Sequence, residues 1–352
     1  MEPLVGLYTC TGDPLVCAEA DIEALAPLGV KAVISPSPQA KLGAVKVSHM
    51  QPPSELSHSA PIVAGPGIDE GLASRLGASV YVEPGRDTVT LQAGGEKVTI
   101  KTVGCSSKVI ANTAAALAAG YLALGREPGD AVGEATRLVR EAMRYWRCKP
   151  RAIAPLEAKA FKAEVLDQVR EAARMLVEEG ETIVRAGLAP EVGINVAMAL
   201  PRPYAMDPGD VAAIPGRIRR AGSRLVAAST CPEMGASSHL ARAILEVMKR
   251  HPEVRAGVNI LYTEKVLEAA NRLGYKAAGY DRRMEPPEVK AREGATIPWG
   301  VGVALEKLGG AAPDMIYHYG DWGKEPMAII FGRTAVEAVG KVVSIAAMVS
   351  RG

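Results

Sequence analysis

Four polar, aperiodic segments in the C-terminal half of this 352-residue chain carry the side chains best suited to chemistry. The first, Ile214-Pro215-Gly216-Arg217-Ile218-Arg219-Arg220, is a Pro-Gly turn loaded with guanidinium groups, whose planar forks suit bidentate contact with phosphate oxygens. It reads equally as a solvated basic turn. The second, Glu233-Met234-Gly235-Ala236-Ser237-Ser238-His239, is a small-residue loop opening a helix, where unpaired backbone N–H groups and the positive end of the helix dipole favour an anion. On this reading a second proton on His239 adds charge beside a phosphate. The plain alternative is an N-cap by Ser237 or Ser238 beside a surface histidine. It is not a P-loop, since the Lys-Ser/Thr pair is missing.

The third segment runs from Tyr280-Asp281-Arg282-Arg283 to Pro298-Trp299-Gly300, and the fourth is Tyr317-His318-Tyr319-Gly320-Asp321-Trp322-Gly323-Lys324-Glu325-Pro326. Both follow expected strands, where open α/β sheets place ligands. Trp299 and Trp322, set beside acidic residues and Lys324, suit a heteroaromatic ring with amino and ring-nitrogen groups. Taken singly, each is also a tryptophan packed under a loop, with Asp321 and Lys324 as a surface pair.

The elements that must position these segments follow an α/β rhythm. Strands are expected near 193–200, 223–229, 255–262, 275–280, 314–318 and 327–331, with helices near 207–214, 238–250, 264–273, 298–308 and 335–349. The N-terminal region shows the same grammar: strands at 4–8, 30–34, 61–64, 79–82, 88–92 and 97–103, and helices at 18–28, 67–76, 107–124 and 129–145. Ala93-Gly94-Gly95-Glu96 signals a hairpin. A Pro-framed break at 146–155 is the expected linker, dividing the chain into 1–150 and 151–352, the latter led by a helix near 156–184.

Composition narrows the function classes. Lys and Arg number 41 against 39 Asp and Glu, a net charge of +2, which argues against a nucleic-acid coat. The longest apolar tract, Val109–Leu124, is Ala-rich and shorter than the ~20 residues a membrane span needs. The N-terminus carries no charged leader followed by an apolar stretch. The scattered Cys10, Cys17, Cys105, Cys148 and Cys231 form no CxxC pair, so no zinc spacing is expected, a reducing cytoplasmic setting is the simpler reading, and Cys105 reads as a plain buried thiol.

In order, Pro190-Glu191-Val192-Gly193-Ile194-Asn195-Val196-Ala197, Ile214-Pro215-Gly216-Arg217-Ile218, Gly235-Ala236-Ser237-Ser238-His239-Leu240-Ala241-Arg242, Tyr280-Asp281-Arg282-Arg283, Glu293-Gly294 with Pro298-Trp299-Gly300, and Gly320-Asp321-Trp322-Gly323-Lys324-Glu325-Pro326 resemble the archaeal-type thiamine-phosphate synthase family, ThiN, over about residues 160–350. The resemblance implies a three-layer α/β/α mixed-sheet domain of class II aldolase-like kind. It also implies a transferase that joins hydroxymethylpyrimidine diphosphate to hydroxyethylthiazole phosphate and releases pyrophosphate. Arg217 and His239 match the family's required arginine and histidine. Gly235, Ala236, Ser237, Ser238, Arg282, Arg283, Trp299, Trp322 and Lys324 are the expected substrate contacts. Mg2+ is the expected cofactor, with Asp321 and then Asp281 as carboxylates near it.

The N-terminal region resembles, more weakly, hydroxymethylpyrimidine phosphate kinase of the ribokinase-like superfamily. Thr11-Gly12-Asp13-Pro14, Ala26-Pro27-Leu28-Gly29-Val30 and Thr102-Val103-Gly104-Cys105-Ser106-Ser107 carry that likeness. A segment of about 100 residues is missing relative to a full domain of that kind, so a truncated, degenerate α/β domain without kinase activity is expected. The alternatives are a bifunctional protein that keeps the kinase, a thiamine-phosphate sensor, and an aldolase-like metal enzyme. The sensor requires a DNA-binding module, and the metal enzyme a histidine cluster that His49, His58, His239, His251 and His318 do not spell out. The expected partners are the phosphorylated pyrimidine and thiazole, with no nucleic acid and no membrane. A homodimer stays open.

Overall fold

The computed structural model describes residues 4–8, 31–35, 62–64, 70–75, 77–146, 148, 154–229 and 231–351. The expected helix at 18–28 and the Thr11–Pro14 and Ala26–Leu28 motifs lie outside them. The chain divides into two compact units, Met1–Glu157 and Ala158–Gly352.

In the first unit, β1 (Leu4–Tyr8), β2 (Lys31–Ser35), β3 (Ile62–Ala64) and β4 (Val80–Pro84) run parallel, while β5 (Thr88–Ala93) and β6 (Glu96–Lys101) extend the sheet antiparallel, in the order β2-β1-β3-β4-β5-β6. Ala93 pairs with Glu96, so the β5–β6 turn is the two residues Gly94-Gly95, both at positive φ (56° and 89°). That is the mirror-image turn a two-residue hairpin needs, and β-carbons resist it. The short α1 (Glu70–Arg75) follows β3; α2 (Ser107–Ala123) and α3 (Pro128–Tyr145) form a helical hairpin against the sheet. The Ala-rich tract that is too short to span a bilayer is α2, whose Ala111, Ala114, Ala115, Ala116, Ala118 and Ala119 are all fully buried. A helix apolar all round is a core helix. No helix among the described residues is long and apolar enough to cross a membrane.

Cys105 corrects the sequence reading: it is not a plain thiol but is disulfide-bonded to Cys148, with Cα atoms 4.9 Å apart. The pairing is hidden in the sequence by a separation of 43 residues. It follows from the hairpin, because α2 and α3 are of nearly equal length (17 and 18 residues) and the residues just outside their far ends meet.

The second unit opens with α4 (Ala154–Glu178) and α5 (Gly180–Arg185), two helices where the periodicity predicts one. The second begins at a close approach to Leu225. A Cβ on buried Gly180 would lie 2.7 Å from the Leu225 backbone nitrogen, so the glycine lets strand and helix touch. Seven strands form a mixed sheet: β7 (Val196–Ala199), β8 (Val211–Ala213), β11 (Glu233–Met234), β12 (Ala256–Leu261), β13 (Ala277–Tyr280), β14 (Met315–His318) and β15 (Met327–Gly332), while β9 (Ile218–Ala221) and β10 (Arg224–Ala227) make a separate hairpin. The order is β11-β8-β7-β12-β15-β14-β13, and only β13 and β14 are parallel. Helices α6 (Ser238–Val247) and α9 (Thr296–Lys307) pack together on one face; α7 (Glu264–Arg272) and α5 gather round α10 (Ala335–Arg351) on the other, and the one-turn α8 (Pro287–Lys290) leads into α9. This is the expected three-layer α/β/α architecture.

The helix expected at 207–214 is a correction. Asp207 accepts the Gly209 N–H and Asp210 accepts the N–H groups of Met206 and Asp207, which closes a single 3-10 turn; Val211-Ala212-Ala213 then joins the sheet as β8. Periodicity alone cannot assign so short an apolar run. The edge strand β11 carries no sequence signal at two residues.

Candidate active site

At the sheet end where β13 and β14 finish and β7 and β15 begin lies a cavity of about 340 Å³. Its floor is apolar (Val192, Leu240, Ile297, Val301, Ile316, Met327, Ile329), and its polar lining includes Arg217, Ser237, His239, Arg282, His318 and Lys324.

Arg217 stands in the tight turn between β8 and β9, with Gly216 at φ 74° and Arg217 itself at φ 64°. Left-handed backbone costs a residue bearing a β-carbon about 1 kcal/mol, and such strain collects at functional sites. A buried amide, Asn195, and a half-buried one, Asn259, pin the turn. Asn195 exchanges hydrogen bonds with both the N–H and the C=O of Ile214, and Asn259 accepts the Asn195 N–H while donating to Gly193 O. The Arg217 guanidinium then donates to Val192 O at 3.0 Å.

His239 is the second residue of α6. The first helical bond runs from Ala241 N to Ser237 O, so the N–H groups of Ser238, His239 and Leu240 precede it. Ser237 makes no side-chain cap and lines the cavity. Gly235 does not offer its amide to a ligand, because it donates to Val211 O at 2.8 Å; its positive φ (80°) turns the chain from β11 into the helix, with Ala236 in the bend and Ser238 exposed.

Of the adjacent arginines, the structure separates two roles. Arg283 is 77% exposed and clamps Asp281 through both carboxylate oxygens, which holds the Asp281 carboxyl down at about 2. Arg282 lines the cavity with a buried Nε that has no partner among the described residues. Lys324 enters from a turn closed by reciprocal backbone bonds, Asp321 N to Lys324 O and Lys324 N to Asp321 O. The two therefore meet through main chain. At that turn's tip Trp322 is 99% exposed and lines nothing. Trp299 stands behind the wall: its ring meets Tyr280 edge-on at 6.0 Å, while Gly300 leaves room for the Tyr280 ring, where a Cβ would come within 2.2 Å.

The charges of the cavity do not cancel. The lining holds three cations, Arg217, Arg282 and Lys324, against the carboxylates Glu191 and Glu325, and Arg242 adds a fourth positive charge beside His239. None of the four forms an ion pair with a carboxylate among the described residues, whereas Arg137, Arg170 and Arg174 on the helix surfaces are each held by acidic neighbours. His239 registers the excess. Partial desolvation, then the positive charges of Arg217, Arg242, Arg282 and Lys324, hold its imidazole below the ordinary value, which favours the neutral ring in the free protein. Arg242 was not singled out from the sequence, although it lies one turn from His239 on α6, a spacing that puts both on one helix side. Its guanidinium packs on Gly294, at φ 77°, where a Cβ would sit 2.8 Å from it. Tyr280, His318, Glu191 and Glu325 lie in segments the sequence marks, but their place in the lining comes from the fold; the Glu325 carboxylate accepts the Glu191 N–H with both oxygens, at 2.9 and 3.1 Å.

For a magnesium ion the donors do not fit. The Asp281 carboxylate is taken by the Arg283 guanidinium, the Asp321 carboxylate accepts the Trp322 N–H, and no group of three or more acidic, His or Cys residues converges among the described residues.

Residues 168–344, about half of the chain, match the family described as Thiamine-phosphate synthase ThiN. The chain belongs to the ThiN family. The thiamine-phosphate synthase ThiN of Methanothermobacter thermautotrophicus is 42% identical over 158 residues, which is 45% of this chain and 81% of that protein. The bifunctional thiamine biosynthesis protein ThiDN of Methanocaldococcus jannaschii is 35% identical over 224 residues, 63% of this chain and 50% of that protein. Among solved structures, the C-terminal domain of a phosphomethylpyrimidine kinase is 42% identical and covers 52% of this chain and 99% of its own, with a TM-score of 0.49. The ThiN match thus spans the whole cavity, from Glu191 to Ile329.

Proposed function

We propose that the second unit makes thiamine phosphate by alkylating the nitrogen of hydroxyethylthiazole phosphate with the pyrimidine methylene of hydroxymethylpyrimidine diphosphate. The observation that carries this reading is a set of cations without ion pairs and helix-opening N–H groups without acceptors, among the described residues, gathered at one partly apolar cavity. In the reaction the methylene–oxygen bond breaks, pyrophosphate leaves with the electron pair, and the electron-rich aminopyrimidine holds the resulting cation until the thiazole nitrogen attacks. Atoms and charge balance without a protein nucleophile. The protein's work is to stabilise negative charge growing on the leaving group and to hold two rings in register.

Arg217, Arg282 and Lys324, with the N–H groups that open α6, take that charge. His239 changes state with it: burial and then the nearby cations lower its pKa in the free protein, a bound diphosphate offsets the cations and raises it, and the added proton strengthens its hold on the departing oxygens. Mg2+ is proposed to ride on the diphosphate's own oxygens, where it neutralises charge; no step above depends on it.

The first unit is proposed to lack kinase activity, which is supported by Cys105 being tied up in its disulfide. A cytoplasmic setting is supported by substrates too charged to cross a bilayer unaided, and a homodimer by the exposed Tyr319 and Trp322 on one turn. The test incubates the purified chain with both phosphorylated rings and Mg2+. Thiamine phosphate and stoichiometric pyrophosphate are expected; their absence with both rings bound would overturn the reading. A parallel tube with ATP and the pyrimidine monophosphate is expected to yield no diphosphate.

A further inference from the structure

The cations of the cavity explain how phosphates are held but not how the pyrimidine ring is told from other flat rings. One side chain on the floor has the chemistry for that. His318, at the end of β14, is 9% exposed and lines the cavity. Its Nδ1 accepts the Gly320 N–H at 3.1 Å, so in the neutral ring the proton sits on Nε2. Among the described residues Nε2 has no partner. The device is built by the same turn that delivers Lys324. Gly320 adopts φ 84°, and a Cβ there would come within 2.4 Å of Lys324 O, so the turn closes only with glycine and aims the Gly320 amide at the imidazole. Burial, then the charges of Arg282 and Lys324, push His318 down to about 4, so it stays neutral across the physiological range. Tyr280, 5.5 Å away, is held neutral as well, its hydroxyl pushed up to about 12 by burial.

Beside the apolar lining, His318 therefore presents an uncharged N–H donor whose tautomer is fixed by the Gly320 amide, whereas the Asn195 and Asn259 side-chain amides that also line the cavity already donate to Ile214 O and Gly193 O. A phosphate has better partners at the rim. What such a donor suits is an uncharged, in-plane acceptor, and within the reaction proposed above that is a ring nitrogen of the aminopyrimidine. We propose that His318 is the residue that selects the pyrimidine, donating from Nε2 to a ring nitrogen. This rests on the proposed synthase reading and adds a direction to it. As the diphosphate leaves, the pyrimidine ring loses electron density and its nitrogens become poorer acceptors, so the bond is strongest in the ground state. His318 therefore sets affinity for the pyrimidine rather than the rate of bond breaking.

The test uses the full chain with His318→Leu and His318→Gln, the second keeping an N–H donor of similar reach. His318→Leu is expected to raise KM for the pyrimidine diphosphate at least tenfold, with kcat within threefold, KM for the thiazole phosphate unchanged and inorganic pyrophosphate binding unchanged; His318→Gln recovers part of the loss. Calorimetry with the unphosphorylated aminopyrimidine alcohol reads the same contact without turnover, and a tenfold weaker Kd is expected for His318→Leu. That arm stands even if the wild-type chain makes no thiamine phosphate, which would count against the synthase reading alone. Loss of pyrophosphate binding, equal changes in both KM values, or an unchanged Kd for the alcohol would each overturn the role given to His318. Nitrogen-15 NMR supplies a readout should the leucine variant fail to fold: the wild-type His318 ring is expected as the Nε2–H tautomer at pH 7, with its Nε2 signal moving on addition of the alcohol, and the other tautomer or an unmoved signal overturns the proposal.

Discussion

Gly104-Cys105-Ser106-Ser107 and Gly235-Ala236-Ser237-Ser238 are one local device used twice. Each has a glycine at positive φ (73° and 80°), a small residue, and a serine at the N-cap of a helix that it does not cap with its side chain. By helix physics alone both mouths favour anions. The surroundings separate them. The first is closed by the Cys105–Cys148 disulfide, and Ser107 Oγ donates to Gly85 O at 2.6 Å. The second opens on a cavity to which Arg217 arrives from the β8–β9 turn, Arg282 from the end of β13 and Lys324 from the turn after β14. A helix mouth becomes an anion site when other elements bring charge to it.

The comparison would break most clearly at Arg217. Replacing it with alanine is expected to cut thiamine-phosphate formation roughly a thousandfold at saturating substrates, the scale of losing a leading electrostatic contact to a leaving group. Turnover within threefold of wild type would mean that the second mouth does not depend on its imported charge. Stability should fall by less, since the alanine leaves the left-handed turn strain in place and removes only the Val192 contact.

The first mouth is expected to be structural. Cys148→Ser opens the loop closed across 43 residues and should destabilise the first unit by about 2–4 kcal/mol, read as a lower denaturant midpoint of its transition, with synthase kcat unchanged. A fall in kcat with the second unit still folded would deny the separation between the two mouths. The smallest effects sharpen it further. Ser106→Ala and Ser237→Ala should each shift stability by less than about 0.5 kcal/mol, because neither hydroxyl caps its helix. Only Ser237→Ala should also raise KM for the pyrimidine diphosphate, by about threefold to tenfold on the scale of one hydrogen bond to a charged group.

Much of the fold was legible because periodicity and turn chemistry act locally. The Gly94-Gly95 hairpin, the helices at 238, 264 and 335 and strands β7, β12, β13, β14 and β15 of the second sheet lie within a few residues of their expected places. The failures share a cause. Val211-Ala212-Ala213 became a strand because β7 and β11 needed it between them, and the long leading helix broke where Gly180 meets Leu225. Neither neighbour is visible in a short window of sequence. Within the site, Arg217, His239, Ser237, Arg282 and Lys324 do meet at one cavity, whereas Trp322 points to solvent, Arg283 and Asp281 satisfy each other, and Trp299 backs Tyr280. Residue type marks a side chain as capable; a neighbour decides whether it is already used.

The order and spacing of the motifs fixed the family, because a Pro-Gly-Arg turn, a helix-opening serine pair with histidine and a Gly-rich turn with lysine are properties of the chain itself. Which cations stay unpaired, which serine faces a cavity and which nitrogen of His318 holds its proton were decided only when distant strands brought those groups within a few ångströms. Coulomb and hydrogen-bond energies depend on distances through space, and the linear order of residues does not contain those distances.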